Sequence, residues 1–365
     1  MLVLVAPGQG AQKPGFLSPW LDLPGVADRL GWWSAVSGLD LIHYGTEADE
    51  EAIRDTAVAQ PLLVAAGLVS ALALFGEPAS NSPDSPEPAS PESAAAADPA
   101  RVLGACAGHS VGEITAAAVA GVLSHEAALV FVRRRGLAMA EAAAQAETGM
   151  AAILGGEQDD VVAHLTRLGL TPANVNGAGQ LVAAGTAEQL AALAADKPEG
   201  VRRVVPLKVA GAFHTGHMAP AVATLEALAT GLPVADPRVT YLSNRDGRPV
   251  ATGAEIVQRL VAQVSNPVRW DLCLDTFQEL GVTAMIEAAP GGTLTGIAKR
   301  ALPGVRTLAL KTPDDLAAAR ELVAEYAAPA VGVAAPAVGV AAATAGPSAA
   351  GLTVDIPPAA DSPAE

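Results

Sequence analysis

Leu2-Val3-Leu4-Val5 is an unbroken aliphatic run that ends at Pro7-Gly8-Gln9-Gly10. A run of this kind, closed by Pro and Gly, predicts a parallel strand covered on both faces. From Thr56 to Phe75 the apolar positions Val58, Leu62, Leu63, Ala66, Val69 and Leu72 recur at helical spacing, with Pro61 tolerated only near the helix start. A second apolar run, Val102 to Ala107, leads into helical patterns over Val111–Leu123 and from His125 to about Gln145. Much later, Ala284-Met285-Ile286-Glu287 is a third strand-like run, followed by Pro290-Gly291-Gly292 and a helix to Arg300.

Residues 150–207 follow a different rhythm. Met150–Leu154 reads as a strand and Asp159–Leu168 as a helix. Ala173–Asn176 and Leu181–Ala184 read as short strands joined at Gly177-Ala178-Gly179. Thr186, with Gln189 at capping-box spacing, starts a helix to Ala194, and Val201–Leu207 is a strand. The order βαββαβ predicts a small ferredoxin-like domain inserted in a larger α/β domain. The divisions are a large domain over 1–141 and 213–326, a small domain over 142–212 and a tail over 327–365. Within the large domain, 77–100 holds Pro, Ser, Glu, Asp and Ala without a large apolar side chain, and reads as a disordered insertion. In the tail, Ala328–Ala334 is repeated unchanged as Ala335–Ala341, and its recurring proline prevents a regular helix.

Composition narrows the function. Of 365 residues, 51% are hydrophobic but only 3% aromatic, so the core must be built from Ala, Val and Leu. A formal net charge of -16 argues against a nucleic-acid partner, which needs a basic footprint. Cys106 and Cys273 are too far apart in sequence for a disulfide framework or a metal site. The N-terminal run lacks the basic flank and length of a signal peptide, and long apolar runs elsewhere are broken by Gly, Pro or charge. The expectation is a soluble, cytoplasmic monomer with no membrane partner and no metal.

The chemistry centres on Gly108-His109-Ser110-Val111-Gly112-Glu113. A strand-like run, Gly-x-Ser-x-Gly and then a helical pattern is what a nucleophile elbow requires: a sharp turn that leaves the serine hydroxyl exposed at a helix N-terminus. An ordinary strand-to-helix turn with a surface serine has the same local signature. Arg133-Arg134-Arg135 lies in an otherwise apolar helix, where neighbours point about 100° apart. Arg135 shares its stripe with Val132 and Met139, but apolar residues nearly surround the helix, so periodicity leaves open which arginine is buried.

Taken together, the blocks resemble the malonyl-CoA:acyl carrier protein transacylases and the acyltransferase domains of polyketide synthases. Those blocks are Pro7-Gly8-Gln9-Gly10-Ala11-Gln12, Gly108–Glu113, Arg135-Gly136-x-x-Met139, Asn174-x-Asn176 with Gln180, Gly211-Ala212-Phe213-His214, and Gln263-x-x-x-Pro267-Val268-x-Trp270. They run in register over residues 1 to about 315; the 77–100 segment and the tail depart from the pattern without touching a block. The resemblance implies a large α/β-hydrolase-like domain with a parallel sheet. It also implies transfer of a malonyl group from malonyl-CoA to the phosphopantetheine thiol of acyl carrier protein, with no cofactor of the enzyme's own.

In that reading Ser110 is the nucleophile, His214 the base, and the backbone N–H groups of Gln9 and Val111 the oxyanion hole. The family's Arg-Gly motif selects Arg135 as the holder of the malonyl carboxylate, and Phe213 resembles the malonyl-selecting pattern. Asn176 and Gln263 complete the substrate-binding set. His109 is the wrong histidine, since adjacent side chains diverge at an elbow. No Asp or Glu stands in a block to complete an acid-assisted triad; the resemblance implies that a carbonyl orients His214, and the candidate is the backbone or side chain of Gln263. Carrier proteins are themselves acidic, so docking needs a basic patch, with candidates Arg133, Arg134, Arg202, Arg203, Lys208, Lys299 and Arg300. The alternatives are an acyltransferase using another acyl-CoA, a serine thioesterase or hydrolase, and a non-catalytic acyl-binding module.

Overall fold

The computed structural model describes residues 1–76 and 98–327. In chain order its strands are β1 (Leu2–Ala6), β2 (Leu103–Gly108), β3 (Thr148–Gly155), β4 (Thr171–Gly177), β5 (Gln180–Thr186), β6 (Val201–Pro206), β7 (Tyr241–Leu242), β8 (Pro249–Val250), β9 (Val268–Arg269), β10 (Ala284–Glu287) and β11 (Arg306–Ala309). They form a six-stranded sheet, ordered β11-β10-β1-β2-β7-β8, and a five-stranded sheet, ordered β6-β3-β5-β4-β9.

The first sheet is parallel from β11 to β7, and only the edge strand β8 runs antiparallel. β1 sits inside it and is buried at every position, as its uninterrupted aliphatic pattern requires. Apolar clusters pack on both of its faces: Leu2 and Leu4 enter one, Val3 and Val5 the other. The helix Thr56–Phe75 lies in the first cluster, and Asp55 caps it by accepting from Ala57 N–H. Its length and composition would allow it to cross a membrane, contrary to the expectation that no stretch would. However, 89% of its most apolar window is buried inside the protein. It is a core helix here.

The second sheet contains the anticipated βαββαβ order, with helices Gln158–Arg167 and Ala187–Ala195 between the strands. Ala178 takes φ 50° in the β4–β5 turn, flanked by Gly177 and Gly179 at φ 76° and 70°. Thr186 and Gln189 form the capping box. One strand was not foreseen. β9 pairs parallel to β4 through Asn174↔Val268 and Val175↔Arg269, so the sheet draws its fifth strand from beyond residue 212. A two-residue strand has no periodicity to read; its neighbour creates it.

The expected insertion at 77–100 falls mostly outside the described residues, as does the tail from 328 onward. The insertion's last residues are described and are ordered as a helix start: Asp98 accepts from Ala100 N–H and caps Pro99–Val102, with proline at the first turn. That turn feeds directly into β2.

Candidate active site

The bend after β2 is a matter of space. A Cβ on Gly108 would stand 1.9 Å from the Gly112 carbonyl carbon, and one on Gly112 would stand 2.2 Å from Ala6 O. Only glycine at both positions lets the helix Gly112–Val119 start this close to β1 and β2. The turn holds Ser110 at φ 53°, a left-handed conformation that costs a non-glycine residue of order 1 kcal/mol or more. Asn244, just past β7, fixes the bend from behind. Its Oδ1 accepts from Ser110 N–H at 2.8 Å and its Nδ2 donates to Gly108 O at 2.7 Å.

His214 is also strained, at φ 62°. Its N–H donates to Val264 O at 3.0 Å, tying the loop to the end of the helix Gly253–Gln263. Nδ1 donates to Gln263 O at 2.9 Å, which leaves Nε2 bare to accept from the Ser110 hydroxyl at 2.7 Å. Gln263 therefore orients the base through its backbone, settling the choice the sequence left open. Burial, reinforced by the Arg135 charge, pushes His214 down to about 3, so it is neutral at physiological pH and free to accept a proton.

Of the three arginines, Arg134 is exposed, Arg133 is half-buried and donates to Ala57 O, and Arg135 is 1% exposed. Arg135 donates to Gln60 Oε1 at 2.6 Å and to Gln263 Oε1 at 2.9 Å, and reaches the Ser110 Oγ at 3.4 Å. Its Nε is buried without a partner. Among the described residues no carboxylate lies within ion-pair distance of it. Burial lowers it to about 10, and it remains charged at neutral pH. Gly136 explains the Arg-Gly pair: a Cβ there would stand 2.9 Å from Thr56 O, so the glycine lets the helix His125–Ala143 close on Thr56–Phe75 and brings Arg135 to Gln60. A buried guanidinium held by neutral amides beside a hydroxyl oxygen can seat an anionic group.

Other residues fall as follows. The Gln9 and Val111 N–H groups donate no hydrogen bond among the described residues, and Val111 stands at the helix N-terminus. His109 makes no hydrogen bond to Ser110 or His214 among the described residues; its Nε2 donates to Asn176 Oδ1 at 2.8 Å and its ring meets Trp270 edge-on. Asn176 thus serves His109, a use its expected place in the substrate set did not anticipate. Phe213 is 6% exposed and packs in the main apolar core beside His214.

Three residues with clear work here carried no role in the sequence reading: Gln60, Asn244 and Glu113. Glu113 is the important omission, because a carboxylate does stand in a matching block. It is 1% exposed and accepts from Asn244 N–H at 2.7 Å and from the Gln263 Nε2, without touching His214. Its position three residues past Ser110, in the first helical turn, was the available signal.

A serine hydroxyl hydrogen-bonded to a neutral histidine, two backbone N–H groups without acceptors among the described residues and a buried arginine together form a site of the kind an acyl transfer needs. The chain belongs to the acyl transferase domain family, matched over residues 99–328. Within it, the chain is 49% identical to the malonyl CoA-acyl carrier protein transacylase of Mycobacterium tuberculosis over 316 residues, 87% of this chain and 98% of the relative. A crystal structure of MCAT from the same organism superposes with a TM-score of 0.77 at 47% identity, over 88% of this chain and 99% of that one. A type II PKS acyl-carrier protein in complex with its malonyl-transacylase matches with a TM-score of 0.76 at 28% identity, over 88% and 99%.

Proposed function

We propose that the chain transfers the malonyl group of malonyl-CoA to the phosphopantetheine thiol of acyl carrier protein, for fatty acid or polyketide synthesis. The single observation that carries the reading is Arg135, buried, without a carboxylate partner among the described residues and 3.4 Å from the serine oxygen. A hydrolase for neutral esters has no use for such a charge.

Ser110 Oγ attacks the thioester carbon as its proton passes to His214 Nε2. The oxyanion faces the N–H groups of Gln9 and Val111, where the helix N-terminus adds favourable field. The tetrahedral intermediate collapses by breaking the C–S bond, and the CoA sulfur takes the proton from His214. The carrier thiol then attacks the malonyl-serine ester, His214 takes the thiol proton and returns it to Ser110, and the free hydroxyl is regenerated. Arg135 holds the malonyl carboxylate through paired hydrogen bonds in both steps.

The same proposal takes the six-stranded sheet as the core of an α/β-hydrolase-like domain and the β3–β6 segment as a ferredoxin-like domain. Strand order β6-β3-β5-β4 with antiparallel neighbours supports the latter. Carrier docking is assigned to exposed cations such as Arg202, Arg203, Lys208 and Lys299. The enzyme works as a cytoplasmic monomer.

The test follows labelled malonyl from malonyl-CoA in the presence of holo-carrier protein. Label on the carrier's pantetheine is the expected result. Release of free malonate at a comparable rate would assign a thioesterase instead.

A further inference from the structure

Glu113 has a carboxylate buried behind the site and touches neither member of the dyad. It faces Asn244 N–H and the Gln263 Nε2, with the Tyr241 hydroxyl also against it. Gln263 then has a defined polarity: Nε2 toward Glu113 and Ser110 O, Oε1 toward the Arg135 guanidinium. An ionised carboxylate only accepts hydrogen bonds, so it demands the NH2 end of the amide. That leaves the oxygen end for the arginine.

We infer that Glu113 is a positioning residue, acting through the Gln263 amide to hold Arg135 ready for the acyl carboxylate. A proton on Glu113, or its replacement by an amide, weakens the constraint, because only the neutral acceptors Ser110 O and Asn244 Oδ1 then hold the Gln263 NH2 in place. Gln263 can then turn its NH2 toward Arg135, which is a donor facing a donor, and the guanidinium loses the acceptor that fixes it. The inference rests on the malonyl-transfer reading.

Two further observations fit. Burial raises Glu113 to about 7, so both of its protonation states are populated near neutrality. A cavity of about 220 Å³ also reaches it, lined by Glu113, Gln263, Ser243, Arg245, Arg259 and Asn266 among others, but not by Ser110, His214 or Arg135. Proton exchange with Glu113 therefore has a route outside the dyad. The charged and titratable groups around it do not titrate near 7. Burial pushes Cys106 up to about 12, and raises Tyr241 and Cys273. Arg135 lies at about 10, His214 at about 3, and His109 is lowered by burial. Burial opposes the charge on Arg259, and the Asp246 and Glu255 carboxylates outweigh it and raise the group.

The experiment compares single-turnover acylation of the full chain by malonyl-CoA and by acetyl-CoA, which lacks the carboxylate. E113Q is expected to lower the malonyl-to-acetyl ratio of kcat/KM by about tenfold, mainly through the malonyl KM. E113D, which keeps an acceptor-only group, is expected to retain most of the ratio. In a Q263A background, which preserves the backbone carbonyl to His214, E113Q is expected to change the ratio by less than about twofold. An unchanged ratio in E113Q, or the same drop with and without the Gln263 amide, would overturn the inference.

Should E113Q not fold, the wild-type ratio decides. It falls as the pH is lowered from about 8 to about 6, and a flat ratio contradicts the inference. The CoA phosphates titrate in both substrates and cancel. A wild-type enzyme that malonyl-CoA does not acylate at all would instead sink the malonyl-transfer reading.

Discussion

At the scale of single residues, selectivity and reactivity are separated. On the proposed mechanism, Ser110 and His214 supply reactivity, while Arg135 supplies the charge that an acyl carboxylate answers. R135A should slow malonyl transfer by about 10²–10³, the cost of leaving a buried carboxylate unpaired, and slow acetyl transfer far less. R135K should recover only part of the loss, because lysine cannot form the paired contact. Steady-state kinetics with both thioesters checks this; equal losses would mean that Arg135 is structural. The base makes a separate statement about pH. His214 must be neutral to accept the serine proton, and its lowering to about 3 removes the acid limb that a histidine near 6.5 would impose. Acylation of Ser110 by a neutral ester should therefore be flat from about pH 8 to about pH 5, and a fall near 6.5 in a stopped-flow profile would contradict it. Ser110, His214, Arg135 and Gln263 were legible because each sits in a block of distinctive residue types. Gln60 and Asn244 were not. Each is defined by a partner from a distant segment, Gln60 by Arg135 and Asn244 by Ser110, and local sequence does not record such meetings.

Among the elements, one helix N-terminus is closed by a single buried carboxylate. Glu287, at the end of β10, is fully buried and accepts from the N–H groups of Gly292, Thr293, Leu294 and Thr295 and from the Thr295 hydroxyl. One carboxylate thus satisfies the N-terminus of the helix Thr293–Ala301 and complements its dipole. Glu287→Gln turns an amide NH2 toward these donors and should destabilise the fold by about 2–3 kcal/mol. Denaturant unfolding checks this, and an unchanged midpoint would show that the cap is dispensable. The sequence showed β10 and the helix after it as an apolar run and a Gly-Gly turn, yet nothing in the pattern marked Glu287 as buried. The βαββαβ segment was read with its order intact, because its strands are long and its turns rich in glycine. β7 and β9, two residues each, were set by the strands beside them.

Over the whole molecule, the site draws on seven separated stretches: the loop after β1, the helix Thr56–Phe75, the elbow after β2, the helix His125–Ala143, the loop at His214, Asn244 just past β7 and the end of the helix at Gln263. The elbow alone is an ordinary motif. What gives it a specific meaning is the fold's convergence of a buried arginine, held only by amides and the serine oxygen among the described residues, on a strained serine. The chain's net charge of -16 leaves carrier recognition to local basic clusters, since two acidic bodies repel at a distance. The central claim is that malonyl passes through Ser110. Intact-protein mass spectrometry after brief mixing with malonyl-CoA, without carrier protein, tests it most directly. Transfer through Ser110 predicts a mass gain of one malonyl group, absent in S110A and discharged on adding holo-carrier protein. An adduct that persists in S110A, or one that the carrier does not remove, would contradict it.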